Sequence, residues 1–308
     1  MSEHQSGFPR LGLILLAALT LGWGFNWPIM KIVLSDVPPL TFRAICLLGG
    51  GIGVLLIARL GRQSLAIPRG YVPQLLALSA TNIIGWNVLI IYGLGLLPSG
   101  RAALLAYTMP LWSVLLSVWL LRERLTAGRV AALALGMAGV VVMMSGELGK
   151  FGGAPHGVAL VLGAAAMWGL GIVLLKRFAV PMPTVSLTGW TMLWGAIPIT
   201  IAALVFEADT WRPVGLYPAL GVLYNVFVAF MFCYWAWNRI VLMVPVAVSS
   251  LSSLVTPMVG VGSSMLLLNE ALTWRETVAG MLIIGAIALV VRPARRAPEP
   301  APSRSPVA

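Results

Sequence analysis

Residues 98–126 read PSGRAALLAYTMPLWSVLLSVWLLRERLT, and residues 245–273 read PVAVSSLSSLVTPMVGVGSSMLLLNEALT. Ten of the 29 aligned positions are identical at an offset of 147. Nearer the front of the chain the correspondence continues at an offset of 145, and its matched pairs are Gly12 with Gly157, Trp23-Gly24 with Trp168-Gly169, Lys31 with Lys176, and Pro38 with Pro183. The pattern indicates two copies of one unit.

The composition is that of a membrane protein. Hydrophobic residues make up 59% of the chain, charged residues only 9%, and the mean hydropathy is +0.96. Soluble domains carry charge on roughly a quarter of their positions, so this surface does not face water. Apolar stretches of about 20 residues, long enough for a helix to cross the hydrocarbon core of a bilayer, recur along the whole length.

These stretches predict an all-α integral membrane protein with ten transmembrane helices, five in each half. The predicted spans are 11–32, 39–59, 72–95, 99–121, 127–145, 157–176, 185–206, 216–238, 244–268 and 274–292. Because five is odd, the second unit enters the membrane in the opposite orientation to the first. We therefore expect inverted repeats at 11–145 and 157–292, a short N-terminal segment at 1–10 and a disordered tail at 293–308.

The basic residues predict the orientation of the chain. With the N-terminus in the cytoplasm, 14 of the 20 Lys and Arg residues fall on the cytoplasmic side and 6 on the outer side. This distribution agrees with the positive-inside rule, and we expect both termini to be cytoplasmic. The same topology and the tail account for the net charge of +11, so nucleic-acid binding is not indicated.

Motifs for catalysis are missing from the sequence. It contains no H-E-x-x-H, no G-x-S-x-G and no Walker lysine loop, and none of the predicted spans contains an acidic residue near its middle. Cys46 and Cys233 both lie within spans, where packing is the usual role of a thiol. We therefore predict neither an enzyme nor a metal or cofactor site. Two inverted units instead favour alternating access, in which one half rocks against the other around a site at mid-membrane.

Several motifs occur in order, and some of them recur in the second half. They are Trp23-Gly24 followed by Lys31, Pro39 with Arg43, Tyr92-Gly93-Leu94 with Pro98, Pro110, Glu123-x-Leu125-Thr126, and Gly136 with Gly139. With these motifs, residues 10–292 resemble the drug/metabolite transporter superfamily, in its ten-span branch of duplicated EamA-type units. Within it, the chain is most similar to bacterial inner-membrane exporters of aromatic and other neutral amino acids. The resemblance implies a basket of helices around a central cavity, with the fifth and tenth spans peripheral.

A substrate site is expected where polar and aromatic side chains lie near mid-membrane, because unpaired polar groups are costly in hydrocarbon. The candidates are Trp23, Asn26, Asn82, Trp86, Tyr107, Trp168, Tyr224, Asn225 and Ser253. Amide, hydroxyl and indole groups without a buried carboxylate suit a neutral or zwitterionic substrate with an apolar body. For each tryptophan, packing or lipid contact remains the alternative. Arg43 and Arg101 are expected near the outer face, where they would guide a carboxylate.

Four residues are candidates for gating. Pro110 and Pro257 stand at equivalent mid-span positions, where each removes a backbone hydrogen bond and bends its helix. The alternative is a static kink that improves packing. Lys31 and Lys176 stand toward the ends of their spans, where extension of the amine to the membrane interface is the default and a gate contact is the alternative.

The sequence thus favours a secondary transporter that exports neutral amino acids, aromatic or large apolar ones, or related metabolites. A broad-specificity drug or metabolite exporter remains an alternative, as does a membrane interaction subunit without transport of its own. The expected partners are a small-molecule substrate and the lipid bilayer, and the chain is expected to act as a monomer or a homodimer. No span carries an acid or histidine near its middle, so facilitated diffusion is expected, with proton antiport through a lysine as the alternative.

Overall fold

The computed structural model describes residues 10–106, 108–122, 127–145, 155–244, 246, 249, 256–268 and 274–291. Over these residues the chain is helical and contains no β-strand. The first half comprises α1 (Arg10–Val33), α2 (Pro39–Leu60), α3 (Val72–Leu78), the π-helix π1 (Ser79–Gly85), α4 (Trp86–Leu96), α5 (Ser99–Ala106), α6 (Met109–Leu121) and α7 (Ala127–Met144). The second half comprises α8 (Pro155–Phe178), α9 (Thr184–Phe206), a short 3-10 helix (Ala208–Thr210), α10 (Leu216–Tyr224), the π-helix π2 (Asn225–Cys233), α11 (Tyr234–Met243), α12 (Thr256–Leu268) and α13 (Trp274–Val291).

In the part of the chain that the structure describes, six helical stretches are long and apolar enough to cross a membrane. They are Arg10–Val33, Pro39–Leu60, Val72–Leu96, Pro155–Phe178, Thr184–Phe206 and Leu216–Met243. Shorter apolar helices lie at Met109–Leu121, Val130–Gly139 and Thr277–Ala286. Large apolar side chains such as Leu56, Leu115 and Phe206 are exposed on these helices, as expected for a surface in contact with lipid. The all-α membrane class is thus confirmed, and the count of ten spans stays a prediction.

Helices α2 and α9 are repeat equivalents and pack along each other. The Glu207 carboxylate, just after α9, accepts hydrogen bonds from the backbone N–H groups of Leu40 and Thr41 at the start of α2, at 2.9 and 2.7 Å. At the other end of the pair, the Ser186 hydroxyl near the start of α9 donates to the carbonyl of Ser64 beyond the end of α2, at 2.7 Å. The start of each helix therefore meets the end of the other, and the two equivalents run in opposite directions.

The recurring Trp-Gly pair has a packing role in both halves. Gly24 in α1 lies against α12, where an added Cβ would stand 3.3 Å from the Thr256 carbonyl oxygen. Gly169 in α8 lies against α6, where an added Cβ would stand 2.8 Å from the Ser113 nitrogen and 3.1 Å from the Met109 carbonyl oxygen. Each glycine thus allows the fourth span of the opposite half to approach closely, and the two contacts are equivalent in the repeat.

The third span of each half contains a π-helix in its middle. π1 has seven residues and π2 has nine. The two spans begin 144 residues apart (216 − 72) and end 147 residues apart (243 − 96), so the additional residues of the second half lie within this span. Wider turns of this kind are frequently found at functional sites.

The fourth span differs from the expected single helix bent at Pro110. α5 ends at Ala106 and α6 begins at Met109, so Pro110 lies in the first turn of α6. A proline is well tolerated there, because the first N–H groups of a helix have no partner within it. In the second half, α12 is described from Thr256 onward, and Pro257 is its second described residue. In the first half, interruption of the span before Pro110 therefore replaces a bend within one continuous helix.

A candidate substrate cavity between the two halves

An aromatic cavity lies between the two halves of the chain. Its wall includes Trp23 of α1, Trp86 of α4, Trp168 of α8 and Tyr234 of α11. The Trp168 ring centroid is 5.6 Å from that of Trp23, 4.8 Å from that of Trp86 and 5.5 Å from that of Tyr234. Tilted and edge-on contacts at such distances are favourable for aromatic pairs. Three tryptophans predicted for the site are therefore brought together in one wall.

Two repeat-equivalent residues touch at this cavity. Asn87 follows π1 and Tyr234 follows π2, at the repeat offset of 147. The Asn87 amide nitrogen donates to the Tyr234 hydroxyl at 3.1 Å and to the Ile83 carbonyl at 2.9 Å. Since equivalent positions meet only near the axis that relates the halves, the cavity lies on that pseudo-twofold axis.

Several buried polar atoms of the wall have no hydrogen-bond partner. They are Oδ1 of Asn26, Oδ1 of Asn87 and Nε1 of Trp168. Buried polar atoms in folded proteins are normally paired, and an unpaired one costs about 1–3 kcal/mol. The wall therefore offers two acceptors and one donor to a polar ligand.

Arg43 supplies a positive charge to the same wall. Its side chain is 2% exposed and lines the cavity. The guanidinium carbon lies 5.0 Å from the ring centroid of Phe42 and 5.7 Å from that of Phe230, which is within the range of cation–π contacts. Nη2 is 3.0 Å from the sulfur of Met30, and Nε has no partner. The sequence indicates only an outer-face position for Arg43, whereas its side chain enters the central cavity.

The cavity is narrow in this conformation. The volume open to the centre of a water molecule is about 50 Å³, which is room for a few waters. An aromatic amino acid requires a wider space, so the wall must open to admit one. Met30 and Met109 both line it, and methionine side chains adapt readily to a change of shape.

Other residues predicted for the site lie apart from this cavity. Asn82 borders a separate and smaller gap. The Tyr224 hydroxyl donates to the Gly22 carbonyl at 2.7 Å, and the Asn225 amide donates to the Gly221 carbonyl at 3.0 Å. Two further candidates lie outside the described residues: Tyr107 and Ser253. The structure thus brings Trp23, Asn26, Trp86 and Trp168 together and leaves the other described candidates aside.

The two candidate gating lysines cap equivalent helix ends. Lys31 Nζ donates to the carbonyl oxygens of Leu94 and Leu97 at the end of α4, each at 2.9 Å. Lys176 Nζ donates to the repeat equivalents of these two carbonyls at the end of α11. A cation is favourable at the carbonyl end of a helix. The amines therefore bind the protein backbone rather than extending freely to the interface.

Phe230 and Tyr234 are wall residues that the sequence does not single out, and Arg43 is a wall residue that the sequence places at the outer face instead. The sequence does contain one indication of Tyr234. It is the repeat equivalent of Asn87, a polar residue next to the predicted site residue Trp86. Phe230 lies one turn before Tyr234 and stacks on it, with ring centroids 5.2 Å apart. For Arg43 the sequence gives the position along the helix but not the direction of the side chain.

The EamA-like transporter family model matches residues 10–145 and, a second time, residues 155–292. The chain belongs to this family. Two successive matches account for nearly all of it, as two copies of one unit require. The resemblance drawn from the motifs is thereby confirmed.

Named relatives agree with this membership. The probable amino-acid metabolite efflux pump of Salmonella typhimurium is 27% identical over 294 residues, which is 92% of this chain and 94% of the relative. The aromatic amino acid exporter YddG of Ancylobacter novellus is 32% identical over 197 residues, 61% of this chain and 67% of the relative. The uncharacterized transporter YoaV of Bacillus subtilis is 25% identical over 274 residues, 89% and 93% of the two chains. The family and these relatives are transporters rather than enzymes.

A solved crystal structure shares the fold. It superposes with a TM-score of 0.75 at 24% identity and covers 92% of this chain and 98% of its own. Membership of the EamA-like transporter family places the chain among membrane transporters.

Proposed function

We propose that this protein is a secondary transporter that exports neutral amino acids, aromatic or large apolar ones, from the cytoplasm across the inner membrane by alternating access. The observation that carries the proposal is the cavity on the pseudo-twofold axis. Aromatic rings line it to pack against an apolar side chain, and buried atoms without partners are available for a polar end. Amino-acid efflux by two of the named relatives supports the same substrate class.

The proposed topology has ten spans in two inverted units, at 11–145 and 157–292, with both termini in the cytoplasm. The antiparallel pairing of α2 and α9 supports inversion. At one face of the molecule, the segments after α1 and after α9 are joined by the Asp36 carboxylate, which accepts from the Gly215 N–H at 2.9 Å. At the opposite face, the segment after α2 meets the start of α9 through Ser64 and Ser186. Both junctions are as inverted repeats require.

The proposed gates are the fourth span of the first half, which is interrupted before Pro110, the equivalent span that contains Pro257, and the lysine caps. Rotation of α6 about the break before Pro110, together with a movement of α12, would narrow one mouth of the cavity while the other opens. Crosslinks across the two mouths should trap opposite states in the parent protein. A distribution of states that stays unchanged in Pro110→Ala and Pro257→Ala would remove the hinge role.

Purified protein in liposomes tests the function directly. We expect the liposomes to take up labelled Phe and Trp. Unlabelled Phe, Trp or Met should reduce this uptake by competition, and empty vesicles are the control. A broad exporter would instead transport cationic or uncharged drugs with equal efficiency. Absence of flux for every amino acid would contradict the proposal and favour a subunit without transport of its own.

A further inference from the structure

Arg43 combines features that point to an anionic ligand. It is buried in the cavity wall, and among the described residues no carboxylate lies within ion-pair distance of it. A buried cation without a counter-charge is unfavourable, and a bound carboxylate relieves that cost. The present contacts of Arg43 compensate little of this cost, since the sulfur of Met30 is a weak hydrogen-bond acceptor.

We infer that Arg43 binds the carboxylate group of the substrate. The inference rests on the proposed function and narrows it to substrates with one free carboxylate, such as an α-amino acid with both termini unmodified. A guanidinium presents a planar fork of N–H groups that matches the two oxygens of a carboxylate. The Nε atom is unpartnered, and Nη2 would exchange a thioether contact for a charge-assisted hydrogen bond.

The positive end of a zwitterion also has partners in this wall. Oδ1 of Asn26 and Oδ1 of Asn87 are buried acceptors without a hydrogen bond, and both side chains line the same cavity as Arg43. The orientation of the Asn87 amide is defined, because its nitrogen donates to Ile83 and Tyr234. An ammonium group donates up to three hydrogen bonds, so two acceptors suit it.

The second half lacks this charge. Thr188 occupies the repeat equivalent of Arg43 at the offset of 145. Its hydroxyl donates to the Thr184 carbonyl and accepts from the Asn238 amide, both at 2.8 Å. The polar group of Thr188 is thus satisfied within the protein, whereas Arg43 has unused capacity. One guanidinium balances one carboxylate and leaves the second charge of a phosphate dianion uncompensated.

Ligands that differ in one group test this assignment. Equilibrium binding to purified protein in detergent would be measured for L-phenylalanine, L-phenylalaninamide, which lacks the carboxylate, and 3-phenylpropionate, which lacks the amine. We expect the parent to bind phenylalanine at least about tenfold more tightly than the amide. Arg43→Gln should weaken phenylalanine binding about 10- to 100-fold, the loss of a charge-assisted hydrogen bond, and leave amide binding unchanged within about threefold.

Arg59→Gln is the matched control, because Arg59 lies on the same helix and is exposed. It should bind all three ligands as the parent does. Equal binding of phenylalanine and its amide by the parent would overturn the assignment, as would an equal loss of both ligands in folded Arg43→Gln. If Arg43→Gln does not fold, the parent's discrimination between the two ligands decides, and Arg43→Lys should retain part of it.

The ligand set also separates this inference from the proposed function. If the parent binds and transports no amino acid, the proposed function fails. Binding of 3-phenylpropionate that is lost in Arg43→Gln would then still establish Arg43 as a carboxylate site. If the parent transports phenylalanine but Arg43→Gln transports it at the parent rate, the carboxylate assignment alone is overturned.

Discussion

Trp168 contacts three other rings of the cavity wall, whereas Asn82, predicted for the same site, borders a separate gap. We expect Trp168→Ala to lower transport of phenylalanine about 5- to 30-fold, because loss of a stacking partner costs about 1–2 kcal/mol of binding. Asn82→Ala should change transport by less than about threefold. Transport rates per folded protein, quantified by size-exclusion chromatography, distinguish the two variants. Equal losses would contradict the position of the cavity.

The lysine caps predict an effect on stability. Lys31→Met removes an ammonium that donates to two carbonyl oxygens at the end of α4. We expect destabilisation of about 1–3 kcal/mol, typical of hydrogen bonds that involve a charged group. Thermal unfolding in detergent measures it, with Lys31→Arg as the variant that keeps a cationic donor. The same result is expected for Lys176→Met, and unchanged melting of both would exclude a capping role.

At the scale of single residues, the sequence predicts which residues belong to the site better than it predicts the direction in which their side chains point. Trp23 and Trp168 were identifiable because they recur at equivalent positions, and both line the cavity. Arg43 was identifiable as a charge near a helix end, but hydropathy reports depth along a span and not the face on which a side chain lies. That face is determined by packing against α9 and π2, which come from the other half of the chain.

Helix contacts depend on the glycines of the Trp-Gly pairs. Gly169→Ala would place a methyl group 2.8 Å from the Ser113 backbone nitrogen, and backbone atoms cannot rotate away as side chains do. We expect destabilisation of about 1–3 kcal/mol from overpacking, measured as a lower melting temperature. Gly95→Ala is the control, because nothing lies within 4 Å of its added Cβ. Equal melting of the two variants would show that α8 and α6 separate without cost.

The link between the segments after α1 and after α9 predicts a pH effect. The Gly215 N–H, the Ser35 hydroxyl and then the charge of Arg212 hold the pKa of Asp36 below its ordinary value of 3.8. A depressed folded-state pKa gives a stabilisation that is present above the ordinary pKa and lost as the pH falls through the folded-state value. We expect the parent to lose more thermal stability than Asp36→Asn between pH 6 and about 3. Parallel curves for the two proteins would exclude the link.

Element boundaries were largely predictable, and internal irregularities were not. The predicted spans 39–59 and 185–206 lie within one residue of α2 and α9. Hydropathy reports whether a segment is apolar, so it locates such ends. Hydropathy carries no information on whether the backbone hydrogen bonds join residues four or five positions apart, so π1 and π2 could not be predicted. The break before Pro110 was missed because the flanking residues are as apolar as the rest of the span.

For the whole molecule, we predict facilitated diffusion. Among the described residues Glu207 is the one buried acidic side chain, and hydrogen bonds from Leu40 and Thr41 hold it at the start of α2. A proton-coupled carrier usually needs a titratable group exposed to each side in turn. Liposomes with a pH gradient and equal substrate on both sides should show no net accumulation. Accumulation that a protonophore abolishes would contradict this, and Glu207→Gln would test that residue as its origin.

The buried charge of Arg43 has an electrical consequence. A zwitterion adds no net charge, so the empty and the loaded carrier bear the same charge through each reorientation. One elementary charge moved across the full membrane potential corresponds to about 2.3 kcal/mol per 100 mV, and Arg43 would experience a fraction of that if the rocking halves carry it through the field. A potential that is negative inside would then favour the state in which Arg43 lies nearer the cytoplasm. Voltage would thus bias the direction in which the resting carrier faces and leave the final distribution of its substrate unchanged.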